Sequence, residues 1–276
     1  MNARAILTIL IVNFNSADFI DNGLYCLKKL TKSPYKVIIL DNNSVSSDFE
    51  KLREYVEKYR NVELERREVT LTGSRAHADG LNFLVKKIDT QYFSILDPDA
   101  AWLIEGWDEI LINRINKKVK VIGSQASSNL RPLDFPLVYT ILFETKTFKD
   151  INTDFSVGDL SKYEDVGYKL REKYLENRFK GEVFISKNTR QFKNGPFKDM
   201  VGVTEYYLDN SEILASHFGR GSSSGAAKYQ QGFGLLLYSL PLIGKYFLKR
   251  KGRHEKLRWI KICQNIVEGQ INNEIK

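Results

Sequence analysis

Short apolar runs alternate with amphipathic stretches over the first 125 residues of the chain. Residues 5–14 (AILTILIVNF), 36–40 (KVIIL), 62–64 (VEL), 92–96 (YFSIL) and 119–123 (VKVIG) are β-branched or aromatic, as strands covered on both faces require. Between them, residues 19–30, 48–59, 74–88 and 107–115 repeat their apolar positions at helical spacing. Ser46 and Ser47 lead into Asp48, which predicts a capped helix start there. Strand and helix in regular alternation predict an α/β fold with a mainly parallel central sheet flanked by helices. Ligands of such sheets bind outside the carboxyl ends of the strands.

Beyond residue 125 the pattern loosens. Residues 124–136 (SQASSNLRPLDFP) are a loop by composition, and 137–144 (LVYTILFE) return as a strand. Residues 158–175 predict a helix entered near Tyr163, with Leu160, Tyr163, Leu170 and Tyr174 on its inner side; residues 182–186 and 212–218 predict further strands. No internal repeat or linker interrupts residues 1–225, which read as one domain, and residues 226–276 read as a basic, amphipathic helical C-terminal extension. Within it, residues 232–261 set an apolar and aromatic run beside Lys245, Lys249, Arg250, Lys251, Arg253, Lys256 and Arg258. That combination suits either the surface of an anionic bilayer or a hairpin docked on the domain with a solvated basic face.

Composition narrows the class. The 276 residues are 42% hydrophobic and 28% charged, as in ordinary globular proteins, and 42 Lys and Arg against 34 Asp and Glu leave a net charge of +8. An anionic partner is favoured. Nucleic acid is not expected, because the excess charge lies in the tail and no aromatic-basic platform or recognition helix stands out. The two cysteines, Cys26 and Cys263, are far apart in sequence and fit a reducing compartment. The first apolar run reads as a strand rather than a signal peptide, and no run reaches the roughly 18 residues of a membrane span. The expected location is cytoplasmic, with a peripheral place on the inner face of the membrane.

Candidate chemistry gathers where the strands end. Asn13 and Asn15 follow the first strand, Asp41, Asn42 and Asn43 the second, and Asp97 and Asp99 the fourth. Each cluster alone is consistent with a turn; three on one rim point to a ligand. Two aspartates flanking Pro98 offer hard oxygen donors to Mg²⁺ or Mn²⁺, which would neutralise charge on a diphosphate. His217, at the end of a predicted strand, is a third candidate ligand or a structural histidine, and Gly219, Arg220 and Gly221 beside it suit a diphosphate. The Glu164-Asp165 pair is either a helix-dipole partner or a general base.

In order and approximate spacing, TILIVNFNSADFI, VIILDNNSVSSD, LTGSRAHADGLNFLV, YFSILDPDA, YEDVGYKLREKY and SHFGRGSS resemble the motifs of family 2 glycosyltransferases, in particular the rhamnosyltransferase-like enzymes of bacterial polysaccharide assembly. The resemblance covers roughly residues 5–224. It implies a GT-A fold and an inverting, metal-dependent transfer of a hexosyl or deoxyhexosyl group from a nucleotide-sugar donor to a glycan or lipid-linked acceptor. It assigns Asn13, Asn15 and Asp41 to the base and ribose pocket, Gly73, Arg75 and Asp79 to the stretch closing over the nucleoside, and Asp97 and Asp99 to the metal-binding D-x-D motif. His217 completes the metal site or contacts the diphosphate, Arg220 adds charge at the leaving group, and Asp165 is the catalytic base. The chain departs from the family pattern at Asp79, where Asn is usual, and at Gly167, where a further acidic residue often stands, which makes Asp159 a rival base. A nucleotidyltransferase is an alternative, opposed by the absence of a Gly-rich basic loop in NFNSADF; a non-catalytic glycan- or membrane-binding module is another.

Overall fold

The computed structural model describes residues 4–126, 131–209, 212–221 and 243–274. Its core is one ten-stranded sheet in the order β3-β2-β1-β4-β7-β6-β8-β9-β10-β5. The strands are β1 (Leu7–Asn13), β2 (Tyr35–Asn42), β3 (Val62–Arg67), β4 (Tyr92–Leu96), β5 (Ala100–Trp102), β6 (Val119–Ser124), β7 (Leu137–Glu144), β8 (Lys180–Asn188), β9 (Thr204–Tyr207) and β10 (Ile213–His217). The helices are α1 (Ala17–Leu30), α2 (Ser46–Val56), α3 (Gly73–Val85), α4 (Trp107–Ile112), α5 (Thr145–Asp150), α6 (Leu170–Glu176) and α7 (Ile243–Glu274).

The alternation of side chains along a strand divides the core in two. Leu7, Ile9 and Ile11 of β1, with Val37 and Ile39 of β2, face one apolar cluster, which α1 and α7 cover with Phe19, Leu24, Trp259 and Cys263. Leu10 and Val12, with Ile38 and Leu40, face the other, which α3 covers with Leu81 and Leu84. All seven residues of β1 are buried. Burial on both faces explains why these strands are unbroken apolar runs.

The sheet is mixed, a correction to the expected mainly parallel one. β1 pairs in parallel with β2 and β4, as do β2 with β3 and β6 with β8. The remaining pairings, β4 with β7, β6 with β7, β8 with β9, β9 with β10 and β10 with β5, are antiparallel. β5 and β9 escaped the sequence pattern because three and four residues are too few to show a period.

Two helix expectations also change. Residues 158–175 are not one helix: a single 3₁₀ turn at Leu160–Lys162 is followed by α6. Tyr163 and Gly167 between them have φ of 63° and 71°, and left-handed residues cannot continue a right-handed helix. Leu170 and Tyr174 are buried as expected, but Leu160 and Tyr163 are exposed. The second helix begins at Ser46, and Asp48 instead accepts the backbone N–H of Ala17 at the start of α1. There its negative charge favours the helix terminus.

The C-terminal helix is bound into this core. Trp259 is fully buried among Phe19, Phe197 and Phe218 and donates its indole N–H to Ser216 Oγ at 3.0 Å. Lys256 pairs with Asp18 of α1, and Cys263 and Val267 are buried below it. Cys26 and Cys263 are both free and buried. No helix among the described residues is long and apolar enough to cross a membrane. The apolar run over 232–242 of the expected extension, loop residues 127–130 and Ser222–Ser224 of the Gly/Ser stretch lie outside the described residues. Trp259→Ala is expected to cost about 3–5 kcal/mol of unfolding free energy; chemical denaturation checks this, and an unchanged midpoint would detach α7 from the core.

Candidate active site

The rim is built from the last residues of β4 and the turn that follows. Asp97 N donates to Tyr139 O at 2.8 Å, and Ala100 N to Asp97 O at 2.9 Å closes a turn with Pro98 in its second position, where proline's fixed φ belongs. β5 then pairs antiparallel with β10, setting Ala100 opposite His217. This pairing carries the imidazole to the two aspartates.

Asp99 is held from several sides. Its Oδ2 accepts the backbone N–H groups of Arg220 at 2.8 Å and Gly221 at 2.7 Å, and its Oδ1 lies 3.2 Å from His217 Nε2. A Cβ on Gly221 would fall 2.7 Å from the Cβ of Asp99, so only glycine permits this approach. Asp97 is held far less. Its Oδ2 is 3.6 Å from His217 Nε2 and its Oδ1 3.7 Å from His77 Nε2; among the described residues that Oδ1 and the His77 Nε2 are both buried without a hydrogen bond. The His217 ring lies 4.7 Å from that of Tyr139.

These environments drive the two carboxyls apart. Burial pushes Asp97 up to about 8; His217 opposes this, and the neighbouring Asp99 and Asp165 add to it. Asp99 is equally subject to burial, but His217 and the two backbone donors outweigh it and hold the group at about 2. Burial brings His77 down to about 4, so its ring is neutral at pH 7.

Ligand atoms of Asp97, Asp99 and His217 all lie within 4.8 Å of one another. Two carboxylates and an imidazole at this spacing, with one carboxylate oxygen that no hydrogen bond among the described residues satisfies, fit a divalent cation of the Mg²⁺ or Mn²⁺ kind.

Beside this cluster opens a cavity of about 700 Å³, within the roughly 300–1,000 Å³ typical of small-molecule sites. Phe14, Ser16, Asn42 and Asn43 line it after β1 and β2, and Gly73, Ser74 and His77 from α3. Asp97, Asp99, Arg131, Tyr139 and Asp165 line it as well. Asp165 accepts from Arg131 Nη2 at 2.8 Å and from Val166 N at 2.9 Å. Burial acts to raise its carboxyl, but hydrogen bonds from Ser74 and Arg131 prevail, so it sits below the usual carboxylate range and is ionised at neutral pH.

Several expected site residues take other places. Asn13 and Asp41 are wholly buried, and Asn13 Nδ2 donates to Asp41 Oδ1 at 2.7 Å. Asp41 Oδ2 accepts Ser44 N, and Asn15 Oδ1 accepts Val45 N at 2.9 Å, so this trio braces the loops after β1 and β2 and does not line the cavity. Gly73 lines it, whereas Arg75 is exposed outside it and Asp79 pairs with Arg67 at 2.5 Å. The Arg220 guanidinium faces Glu255 of α7 at 2.9 Å, so its backbone, not its charge, serves the rim. Asp159 caps the 3₁₀ turn through Ser161 and is absent from the cavity wall.

Sequence reasoning passed over His77, Arg131 and Tyr139. A signal existed for the first. Gly73 and His77 stand four apart on one face of α3, and Arg75 and Asp79 four apart on another. Arg131 and Tyr139 gave none, since only the fold brings a loop arginine and a strand tyrosine to this cavity.

The sheet, its doubly covered first half and the acid-x-acid turn with its histidine define a GT-A fold. The profile described as "Glycosyl transferase family 2" matches residues 8–190, and the chain belongs to that family. A search of curated protein sequences finds no significant match. Among solved structures, the chain is similar to the mannosyltransferase PcManGT from Pyrobaculum calidifontis in complex with GDP-Man and Mn²⁺: TM-score 0.53, 16% identity, covering 66% of this chain and 55% of that one. It is also similar to S. aureus TarS 1-349 in complex with UDP: TM-score 0.46, 16% identity, covering 63% of this chain and 57% of that one. The chain thus spans little more than half the length of each; the first likeness shows the fold.

Metal binding has a definite pH dependence here. The proton that Asp97 retains up to about 8 must leave when the site is filled, so Mn²⁺ affinity is expected to rise about tenfold or more from pH 6 to pH 8. Calorimetric titration should show this and show no binding to Asp99→Ala. A flat pH profile, or an unaffected variant, would count against the assignment.

Proposed function

We propose that this protein is an inverting glycosyltransferase that uses a divalent cation to transfer a hexosyl or deoxyhexosyl unit from a nucleotide-sugar donor to a hydroxyl of a glycan or lipid-linked acceptor in cell-surface polysaccharide synthesis. The single observation that carries the reading is one cavity lined by Asp97 and Asp99 together with an ionised Asp165. The nucleoside would lie against Phe14, Asn42 and Asn43, beneath the start of α3. Mg²⁺ or Mn²⁺ would be held by Asp97, Asp99 and His217 and would supply positive charge to the diphosphate leaving group.

Asp165 accepts the acceptor's hydroxyl proton. The oxygen attacks the anomeric carbon as the bond to the diphosphate breaks, and the electron pair departs on the phosphate oxygen. Arg131 orients Asp165 through the 2.8 Å bond and keeps its carboxyl ionised. A base below the usual carboxylate range is a weak one. It works here by position, taking the proton late, when the hydroxyl has become acidic.

Asp165→Asn is expected to keep nucleotide binding and to lose about 10²–10⁴-fold in turnover. A panel of UDP-, GDP- and dTDP-sugars with Mn²⁺, followed by nucleoside diphosphate release, measures this. Undiminished turnover would remove Asp165 from the mechanism.

A surface for an anionic bilayer completes the proposal. Tyr246, Phe247 and Leu257 are exposed on α7 beside exposed Lys249, Arg250, Lys251 and Arg253. Each cation near such a surface contributes about 1 kcal/mol. Because Trp259 belongs to the core, charge reversal tests the idea more cleanly than deletion. Replacing Lys249, Arg250 and Arg253 by Glu should abolish co-flotation with phosphatidylglycerol vesicles while leaving the melting temperature intact; retained flotation would end the idea.

A further inference from the structure

A second cavity, of about 200 Å³, adjoins the first. Arg131, Val138, Asp165 and Val166 line both, whereas Asp97, Asp99 and Gly73 belong only to the first and Tyr163 and Tyr168 only to the second. The catalytic carboxylate of the proposed mechanism is therefore a partition, with the metal-ligand cluster to one side and a small aromatic-edged chamber to the other. The chamber falls well below the roughly 300–1,000 Å³ that hold drug-sized ligands and fits something the size of one saccharide unit.

Tyr163 gives the chamber its meaning. It closes the 3₁₀ turn Leu160–Lys162 with a φ of 63°, where glycine or asparagine serves without strain. Its ring is half exposed, and among the described residues its side chain has no hydrogen bond, ion pair or ring partner. Polar and ring contacts among the described residues thus do not account for a half-exposed aromatic in a left-handed backbone, a situation in which strain points to a ligand. Tyr168, also partly exposed, is a second ring lining the chamber.

We infer that the second cavity is the acceptor subsite and takes one neutral pyranose ring, its C–H face stacked on Tyr163. The inference rests on the proposed glycosyl transfer and adds the acceptor's chemistry. Charge selects a neutral ring. Arg131 and Arg171 are engaged with Asp165 and Asp134, and Lys162 stands beside Asp159, so among the described residues each cation lining the chamber already faces a carboxylate. Glu164 and Lys162 offer an acceptor and a donor to ring hydroxyls at the edge. A sugar so held reaches Asp165 from the side away from the metal-ligand cluster, which in-line displacement of the diphosphate requires.

Saturation-transfer NMR on the full chain with diamagnetic Mg²⁺ and UDP or GDP, using the methyl glycosides of glucose, galactose, mannose, rhamnose and N-acetylglucosamine as probes, tests this. At least one glycoside should show transfer to its ring C–H protons. Tyr163→Gly relieves the strain, so its melting temperature should stay level or rise and its UDP or GDP affinity hold, while binding of that glycoside weakens roughly three- to tenfold. Tyr163→Phe should restore it, and Tyr168→Ala should weaken it too. Absence of binding by every glycoside, or wild-type binding by Tyr163→Gly, overturns the inference. Should the wild-type protein release nucleoside diphosphate from no nucleotide sugar, glycosyl transfer fails as a reading, while the glycoside measurement still decides what the chamber binds.

Discussion

The rim depends on one antiparallel contact, the pairing of β5 with β10. Asp99 and His217 are separated by 118 positions in the chain, yet the ladder that sets Ala100 opposite His217 fixes their spacing to within a hydrogen-bond length. Phe218 N closes the same ladder on the carbonyl of Asp99 at 2.8 Å. Backbone geometry, which costs little to keep rigid, therefore sets the distance between carboxylate and imidazole. Side-chain freedom has little part in it.

From that contact follows an unequal treatment of two similar residues. Asp99 receives two backbone donors and an imidazole; Asp97, two residues earlier, shares only the distant edges of two histidines among the described residues. One carboxyl is ionised under all ordinary conditions and the other is destabilised as an anion. A buried carboxyl without partners is costly unless something charged relieves it. The cluster is thus electrostatically incomplete by itself, and the incompleteness is local: Asp165, in the same cavity, has its charge balanced by Arg131.

Much of this was legible in the residues. The strands of the first half could be read because burial on both faces leaves no polar interruption, and the acidic turn could be placed because it follows Leu96 at a strand end. Other features depend on contacts that a linear pattern does not encode. Asn13 and Asp41 look like rim donors until their hydrogen bonds to each other are seen. Arg220 looks like a phosphate ligand until α7 supplies Glu255. Nothing about Tyr163 in the sequence announces a left-handed backbone, and Gly167 lies inside a helical spacing of apolar residues, so the pattern predicts one helix that the chain does not make.

The family match ends at residue 190, but the structural unit does not. β9, β10, His217 and the glycine that grips Asp99 all come later, and Trp259 fills the core behind them. A fragment cut at the boundary of the recognisable motif would keep the acidic turn but lose the strand that holds it and the wall that seals it. The smallest piece of this chain able to stand alone is larger than the part by which its ancestry is recognised.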